Sequence, residues 1–260
     1  MVRLTLISSL IILLMMTACQ ETEEGCLDLL STNYNFIAVS ECNACCTYPN
    51  VTVNFRVDYG TFLSQALIDT FFLENRDSLI LHDIQLSIGN FSYGAPDGPY
   101  RVLDSLQVGN NFIRDDYVLA RLIIPYTIGQ VRYAGETNMI NFSVGIDADV
   151  VSTWGALDNI DQDSGLDNLL DSMYIAETQE VAMLRLRLQL EDSIRHLTIT
   201  APDAMNLSYP IDKKTELGEN LIINLRVDLQ VLTEGITSDM TNEQLEAIII
   251  DKLASGIAIE

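Results

Sequence analysis

The side chains with the means to do chemistry in this 260-residue chain are five cysteines, two histidines and a large excess of carboxylates. Cys26, Cys42, Cys45 and Cys46 form an even set confined to 21 residues. Thiols so spaced can close disulfides, hold a soft metal or run thiol exchange. Cys42-Asn-Ala-Cys45 has the C-x-x-C spacing of a zinc or thioredoxin-like site. No second C-x-x-C or His pair follows it, and no βαβ pattern surrounds it. Two disulfides are therefore expected, with the connectivity open because four cysteines allow three pairings. His82 and His196 are isolated, and each reads as a surface or hydrogen-bonded imidazole.

Oxygen ligands concentrate at Asn159-Ile-Asp161-Gln-Asp163-Ser-Gly165, flanked by Asp158, Asp167 and Asp171. Alternating carboxylates and amides suit a hard cation such as calcium. Gly165 comes one place late relative to Asn159, however, and Leu170 stands where a bidentate Glu belongs, so a solvated acidic loop is the expected reading. Gly-x-Ser-x-Gly, His-Glu-x-x-His and Gly-rich phosphate-loop patterns are absent, and a non-enzyme is expected. Met139, Met173, Met183 and Met205 lack Met-x-x-Met spacing and read as core fillers.

Charge narrows the partners. With 14 Lys and Arg against 37 Asp and Glu, the formal charge is -23 and the pI about 4.1. No surface built to neutralise phosphates is available, which excludes nucleic acid. Lys213 and Lys214 are the only adjacent basic pair, too little for polybasic attraction to an anionic membrane. Hydrophobic residues make up 48% of the chain, enough to bury a core.

Arg3, the apolar run from Leu4 to Met16, and the small residues before Cys19 read as a secretory signal over residues 1–18, too short for a membrane-spanning helix. Met16-Thr17-Ala18-Cys19 resembles a bacterial lipobox. That resemblance implies cleavage after Ala18 and acylation of Cys19 on sulfur and nitrogen, and several acyl chains anchor a protein stably. The alternative is an ordinary signal peptide ending in a chance Cys. Cleavage would leave 13 basic against 37 acidic side chains, a charge of -24. Gln20 is not the Asp of an inner-membrane retention signal, so an outer-membrane destination is expected, facing the periplasm or the cell surface. The acidic run Glu21, Glu23 and Glu24 resembles a surface-export tether and reads equally as a solvated linker.

The elements that must position these groups are strands. Val51, Val53, Phe55, Val57 and Tyr59 alternate with polar residues. The same period recurs at Ile84, Leu86 and Ile88, at Ile140 to Ile146 and at Leu184 to Leu190, and is expected to run longest from Leu221 to Val231. One solvated face per sheet favours antiparallel pairing. The fold class is therefore all-β, an antiparallel sandwich of Greek-key or Ig-like type, with two short helices only. One spans Ser164 to Met173. The other starts at the capping box Thr241 to Gln244, buries Leu245, Ile248, Ile249 and Leu253, and ends at Gly256.

Two stretches carry wider resemblances. Gly25-Cys26-Leu27-Asp28, Thr32 to Asn35, Ala38, and Cys42 through Tyr48-Pro49 resemble a small Cys-bounded module that heads many secreted and lipidated bacterial proteins. The resemblance implies that Cys26 and Cys42 bond to Cys45 and Cys46, in either order. Beyond it, Val51 to Gly60, Leu86 to Phe91, Ile140 to Asp147, Gly155-Ala-Leu-Asp158 and Met173-Tyr174 follow in order the motifs of the MbnP-like family of bacterial periplasmic and outer-membrane copper-associated proteins, which they resemble. Such a family implies a copper site of several imidazoles and a modified Trp. Here Ile175 and Glu177 stand where Trp residues follow Met-Tyr in the family, Thr198, Thr200 and Ala201 replace a His-bearing segment, and Val151 and Ser152 replace Asn-His. Trp154 is the one Trp and reads as a packed loop aromatic.

The expected organisation is a lipoprotein signal (1–18), an acidic tether (19–25), a disulfide-stapled module (26–49) and an MbnP-like sandwich (50–260). Two functions follow. The first is a lipid-anchored binding module without the full copper set, held to the membrane by lipidation at Cys19, with no cofactor and with a partner protein such as the haem peroxidase of that family's neighbourhood. The alternative is a structural surface lipoprotein with no small-molecule ligand.

Overall fold

Apolar and polar residues alternate along the chain, and one long strand organises the others. The computed structural model describes residues 23–42, 44–60, 62–63, 69–95, 98–108, 111–121, 125–147, 150, 164–201 and 203–260. Strand β6 (Ser78–Ala95) has 18 residues, about 60 Å of contour. Its buried positions change parity twice, from Leu79 and Leu81 to Ile84, Leu86 and Ile88, then to Phe91 and Tyr93. Each change falls at a bulge. Asp83 pairs with Arg187 and Leu81 with Leu188, leaving His82 as an extra residue. Likewise Gly89 pairs with Ser143 and Ser92 with Asn141, so Asn90 and Phe91 together face Phe142, with Asn90 at φ 53°. One inserted residue turns the following side chains to the other face, so the bulges keep a twisting strand aimed at one core.

Ile88 pairs with both Val118 of β10 (Val118–Arg121) and Val144 of β12 (Gly135–Val144), and Leu86 with both Ala120 of β10 and Leu184 of β14 (Glu180–Leu190). A strand has two edges, so β12 and β14 lie end to end along the edge opposite β10. β15 (Ser193–Thr200) pairs with β14, and β16 (Met205–Thr215) pairs with β12. Pro210 lacks an amide donor and fits β16 as an edge strand. Three short strands complete this sheet: β5 (Thr70–Phe72) and β7 (Gly98–Arg101) on β6, and β13 (Tyr174–Ile175) on β14.

The second sheet orders β11 (Pro125–Gln130), β3 (Asn50–Tyr59), β17 (Leu221–Asp228) and β18 (Ile257–Ile259), with β4 (Phe62–Leu63) on β3. β3 and β17 run parallel, Val51 opposite Leu221 through Asp58 opposite Asp228, while their outer neighbours are antiparallel. Val53, Ile223 and Leu225 meet Ile88, Phe91 and Phe142 of the first sheet around a small apolar gap of about 10 Å³. The result is the expected all-β sandwich. Separate from it is a hairpin of β8 (Ser105–Val108) and β9 (Asn111–Arg114).

Three helices occur among the described residues, one more than expected. α1 (Gly165–Met173) is capped by Ser164, whose side chain accepts from the Asp167 amide. The alternation from Leu221 stops at Asp228, short of Val231. The Asp228 carboxylate accepts the Gln230 and Val231 amides and starts α2 (Leu229–Leu232), so an N-cap overrides the two-residue period. α3 (Asn242–Gly256) begins with the expected Thr241–Gln244 capping box and buries Leu245, Ile249 and Leu253, with Ile248 half-buried. It covers the open edge of β15: Glu246 accepts the Thr198 amide at 3.1 Å and Asn242 donates to the His196 carbonyl at 3.3 Å. An uncovered edge would invite strand addition from another chain.

The N-terminal module is a cross-linked coil with one short parallel pair, β1 (Glu24–Gly25) and β2 (Ser40–Glu41). Its disulfides are Cys26–Cys46 and Cys42–Cys45, with Cα separations of 5.0 and 5.7 Å. This is one of the two arrangements that the module resemblance allows.

Candidate functional site

Three places bring chemical groups together. The first joins the module to the sandwich. Asp28 Oδ2 accepts from Tyr48 Oη at 2.9 Å and from Arg132 Nε at 2.6 Å, while Oδ1 accepts the Leu30 amide at 3.0 Å. Burial alone would raise the pKa of this carboxyl. The three donors and the Arg132 charge outweigh burial and hold it below the ordinary carboxylate range. Tyr48 shifts the other way, raised by burial and by giving its proton to Asp28. Backbone bonds reinforce the joint: the Tyr48 amide to Gln130 Oε1 at 3.1 Å and the Val131 amide to the Pro49 carbonyl at 2.8 Å.

The second place is the Asn90 bulge. Asp116, 1% exposed, accepts the Phe91 amide at 2.7 Å, and Asn90 donates to Asp147. Burial raises the Asp116 carboxyl, with the Phe91 amide and Arg114 opposing the shift. Beside it the Tyr117 ring lies on Gly89, where a Cβ would fall 2.6 Å from two ring carbons. Gly89 is thus the residue that lets the ring close over β6.

The third is a cleft of about 510 Å³ between α1 and the strands β10 and β11, lined by Arg121, Tyr126, Thr127, Asn168, Asp171 and Ser172. Leu166, Leu169, Leu170 and Met173 pack under it with Tyr117 and Leu119 as a second, smaller hydrophobic cluster. Arg121 donates to Ser172 Oγ at 2.6 Å, and its amide reaches Tyr126 Oη at 3.0 Å. The Arg121 guanidinium gives the cleft wall a cation, with its Nε buried. Such a group suits a carboxylate or another oxygen acceptor.

A further charge cluster is paired internally. The parallel register sets Arg56 against Arg226 and Asp58 against Asp228, like charge opposite like. Glu260 bridges the cations, 2.6 Å from Arg56 Nη2 and 3.2 Å from Arg226 Nε, and Asp58 lies 3.2 Å from Arg56.

The residues singled out from the sequence do not converge. His82 is a bulge residue, and its Nε2 lies 3.3 Å from Gln189 Oε1, a hydrogen-bonded imidazole as expected. His196 is exposed and stands opposite Arg187, a cation between the two histidine-bearing strands. No group of three or more His, Cys, Asp or Glu suited to a metal occurs among the described residues. The donor set of the described residues therefore does not fit a copper site of imidazoles. Cys19, Trp154, the segment Gly155 to Asp158 and the acidic stretch Asn159 to Asp163 lie outside the described residues. Of the calcium-type acids, Asp167 and Asp171 lie on α1, Asp171 lining the cleft. Sequence reading missed Asp28, Tyr48, Arg121 and Asp116, of which Asp28 and Tyr48 stand in the module motif.

Fold and sites together define a two-sheet β-sandwich headed by a docked, doubly disulfide-linked module. No protein-family profile matches the chain, and no curated protein matches it. Among solved structures it is similar to MbnP from Methylosinus trichosporium, with 8% identity and a TM-score of 0.41 over 71% of this chain and 77% of that one. That is a distant likeness, from which no residue correspondence follows.

Proposed function

We propose that this chain is a lipid-anchored, extracytoplasmic binding module of MbnP-like character, without catalytic activity and without that family's copper set. The observation that carries the reading is the stapled module. Two disulfides fit an oxidising compartment, and they fix a head whose first strand starts five residues after Cys19. The module is bolted to the sandwich through Asp28, Tyr48 and Arg132. An acyl chain on Cys19 would therefore hold the whole sandwich at the surface of the outer membrane. The α1 cleft, with Arg121 in its wall, is the place such a module would offer a small ligand.

Membrane fractionation with mass analysis of the N-terminal peptide tests the anchor. The native chain should fractionate with membranes and carry acyl mass on Cys19, and Cys19→Ala should be unprocessed or soluble. An unmodified, soluble native chain would overturn the reading.

A further inference from the structure

The module leaves large apolar side chains in water at one turn. Phe36 is 80% exposed, Ile37 57% and Val39 75%. Scattered exposed apolar residues need no explanation, but three within four positions on a small cross-linked module do. The turn is built. Asn35 takes the Ile37 amide on its side chain at 3.0 Å and the Ala38 amide on its carbonyl at 3.3 Å, and its own amide donates to the Cys26 carbonyl at 2.8 Å. Cys26 is disulfide-bonded, so the apolar tip is preorganised.

Its place in the fold identifies what covers it. The Val39 amide donates to the Glu23 carbonyl at 2.8 Å, and β1 and β2 continue the pairing from Glu24 opposite Ser40. Glu23 is four residues from Cys19, a reach of at most about 14 Å for extended chain. An acylated Cys19 would lie within that reach of Glu23, whose carbonyl holds the Val39 end of the turn. The exposed carboxylates Glu23, Glu24 and Glu41 flank the turn, on a chain of charge -23. An anionic surface would be repelled, whereas a zwitterionic one would not.

We infer that the turn from Asn35 to Val39 docks onto a zwitterionic lipid surface, inserting Phe36, Ile37 and Val39 at the headgroup boundary beside the acyl anchor. This inference rests on the anchor reading and adds to it a second, non-covalent contact that sets how the sandwich stands on the membrane. Apolar side chains at an interface and a nearby lipid chain reinforce each other, as stable attachment commonly needs two signals.

The test uses the full chain, purified from membranes and reconstituted on phosphatidylcholine vesicles, with Trp154→Phe to remove the native indole. Phe36→Trp and Val39→Trp report on the turn. Ile194→Trp is the control, because Ile194 is 52% exposed and pairs with Gln189, which in turn pairs with Ile80 at the opposite end of β6 from the module. The expected result is a blue-shifted emission and a severalfold fall in acrylamide quenching for Phe36→Trp and Val39→Trp on vesicles, with Ile194→Trp unchanged. Mass analysis of Cys19 on the same sample separates the outcomes. An acylated chain whose turn indoles stay as quenchable as the control overturns the inference and leaves the anchor standing, and an unacylated chain overturns both. Shielding in detergent without vesicles at doubled mass would assign the turn to a second copy of the chain instead.

Discussion

Tyr48 donates its hydroxyl hydrogen bond to Asp28 across 2.9 Å, and the two are the polar signature residues of the two ends of the stapled module. A motif that reads in sequence as G-C-x-D and C-C-x-Y-P closes on itself in space. Arg132 then ties the closed ends to the sandwich.

Removing that hydroxyl should loosen the joint without unfolding the sandwich. A hydrogen bond to a charged group contributes roughly 1.5–3 kcal/mol, and solvent near the half-exposed Arg132 lowers this to about 1 kcal/mol for Tyr48→Phe. Urea unfolding should show the loss. Because the folded Asp28 carboxyl lies below its unfolded value, its contribution is present above the unfolded value, near pH 4, and fades as pH falls through the folded one. Asp28→Asn should be less stable than the native chain at pH 6 and converge with it at strongly acid pH. A gap that does not change with pH would contradict this.

The two disulfides should differ in weight. Cys26–Cys46 closes a separation of 20 residues and Cys42–Cys45 one of 3. Loop-closure entropy gives about 3 kcal/mol for the former and about 2 for the latter. Paired Cys→Ala variants compared by hydrogen exchange over residues 23–49 should rank in that order, with the Cys26/Cys46 pair exchanging faster.

Asp116 carries the opposite pH dependence. Burial raises its folded carboxyl above the unfolded value, so its contribution is most favourable below the unfolded value, near pH 4, and is lost as pH climbs through the folded one. Asp116→Asn keeps an oxygen acceptor for the Phe91 amide and removes the titration. Its stability relative to the native chain should improve as pH climbs from 4 to 8. Equal slopes for the two proteins would refute this account.

Gly89→Ala should cost about 1–3 kcal/mol, because the new Cβ meets the Tyr117 ring in a packed interior. The double variant with Tyr117→Leu should recover part of the loss. If Gly89→Ala alone melts like the native chain, the ring is not fixed over β6 as described.

Copper titration of the refolded mature protein should reveal no submicromolar site, as His82 and His196 stand on separate strands with Arg187 against His196. A site with an affinity of about -8 kcal/mol or tighter, lost in His82→Ala or His196→Ala, would show that the imidazoles converge after all.

Strands, capping boxes and the two larger helices were legible because each is written in local periodicity or in a four-residue cap. The flanks of β6 were not. Leu79, Leu81, Phe91 and Tyr93 belong to the same core as Ile84, Leu86 and Ile88, but the bulges at His82 and Asn90 shift their parity, and a two-residue period cannot see across an inserted residue. α2 escaped for the converse reason: Leu229 and Val231 keep the strand period, and only the Asp228 cap shows that the backbone has turned. Arg121 and Asp116 gave no signal, since a cleft donor and a bulge-capping carboxylate depend on strands distant in sequence. The parallel pairing of β3 with β17 was equally hidden, as alternation does not encode direction.

That pairing has a kinetic price for a chain that emerges N-terminus first. Val51 finds its partner Leu221 only after 170 further residues have followed, and until then β3 has just β11 and the two-residue β4 beside it in the second sheet. Such long-range closure is slow, and an unpaired apolar strand is open to wrong partners while it waits. The disulfide-bonded head needs only residues that arrive early, so a folded knob trailing an open sandwich is the intermediate that pulse-labelled refolding should trap.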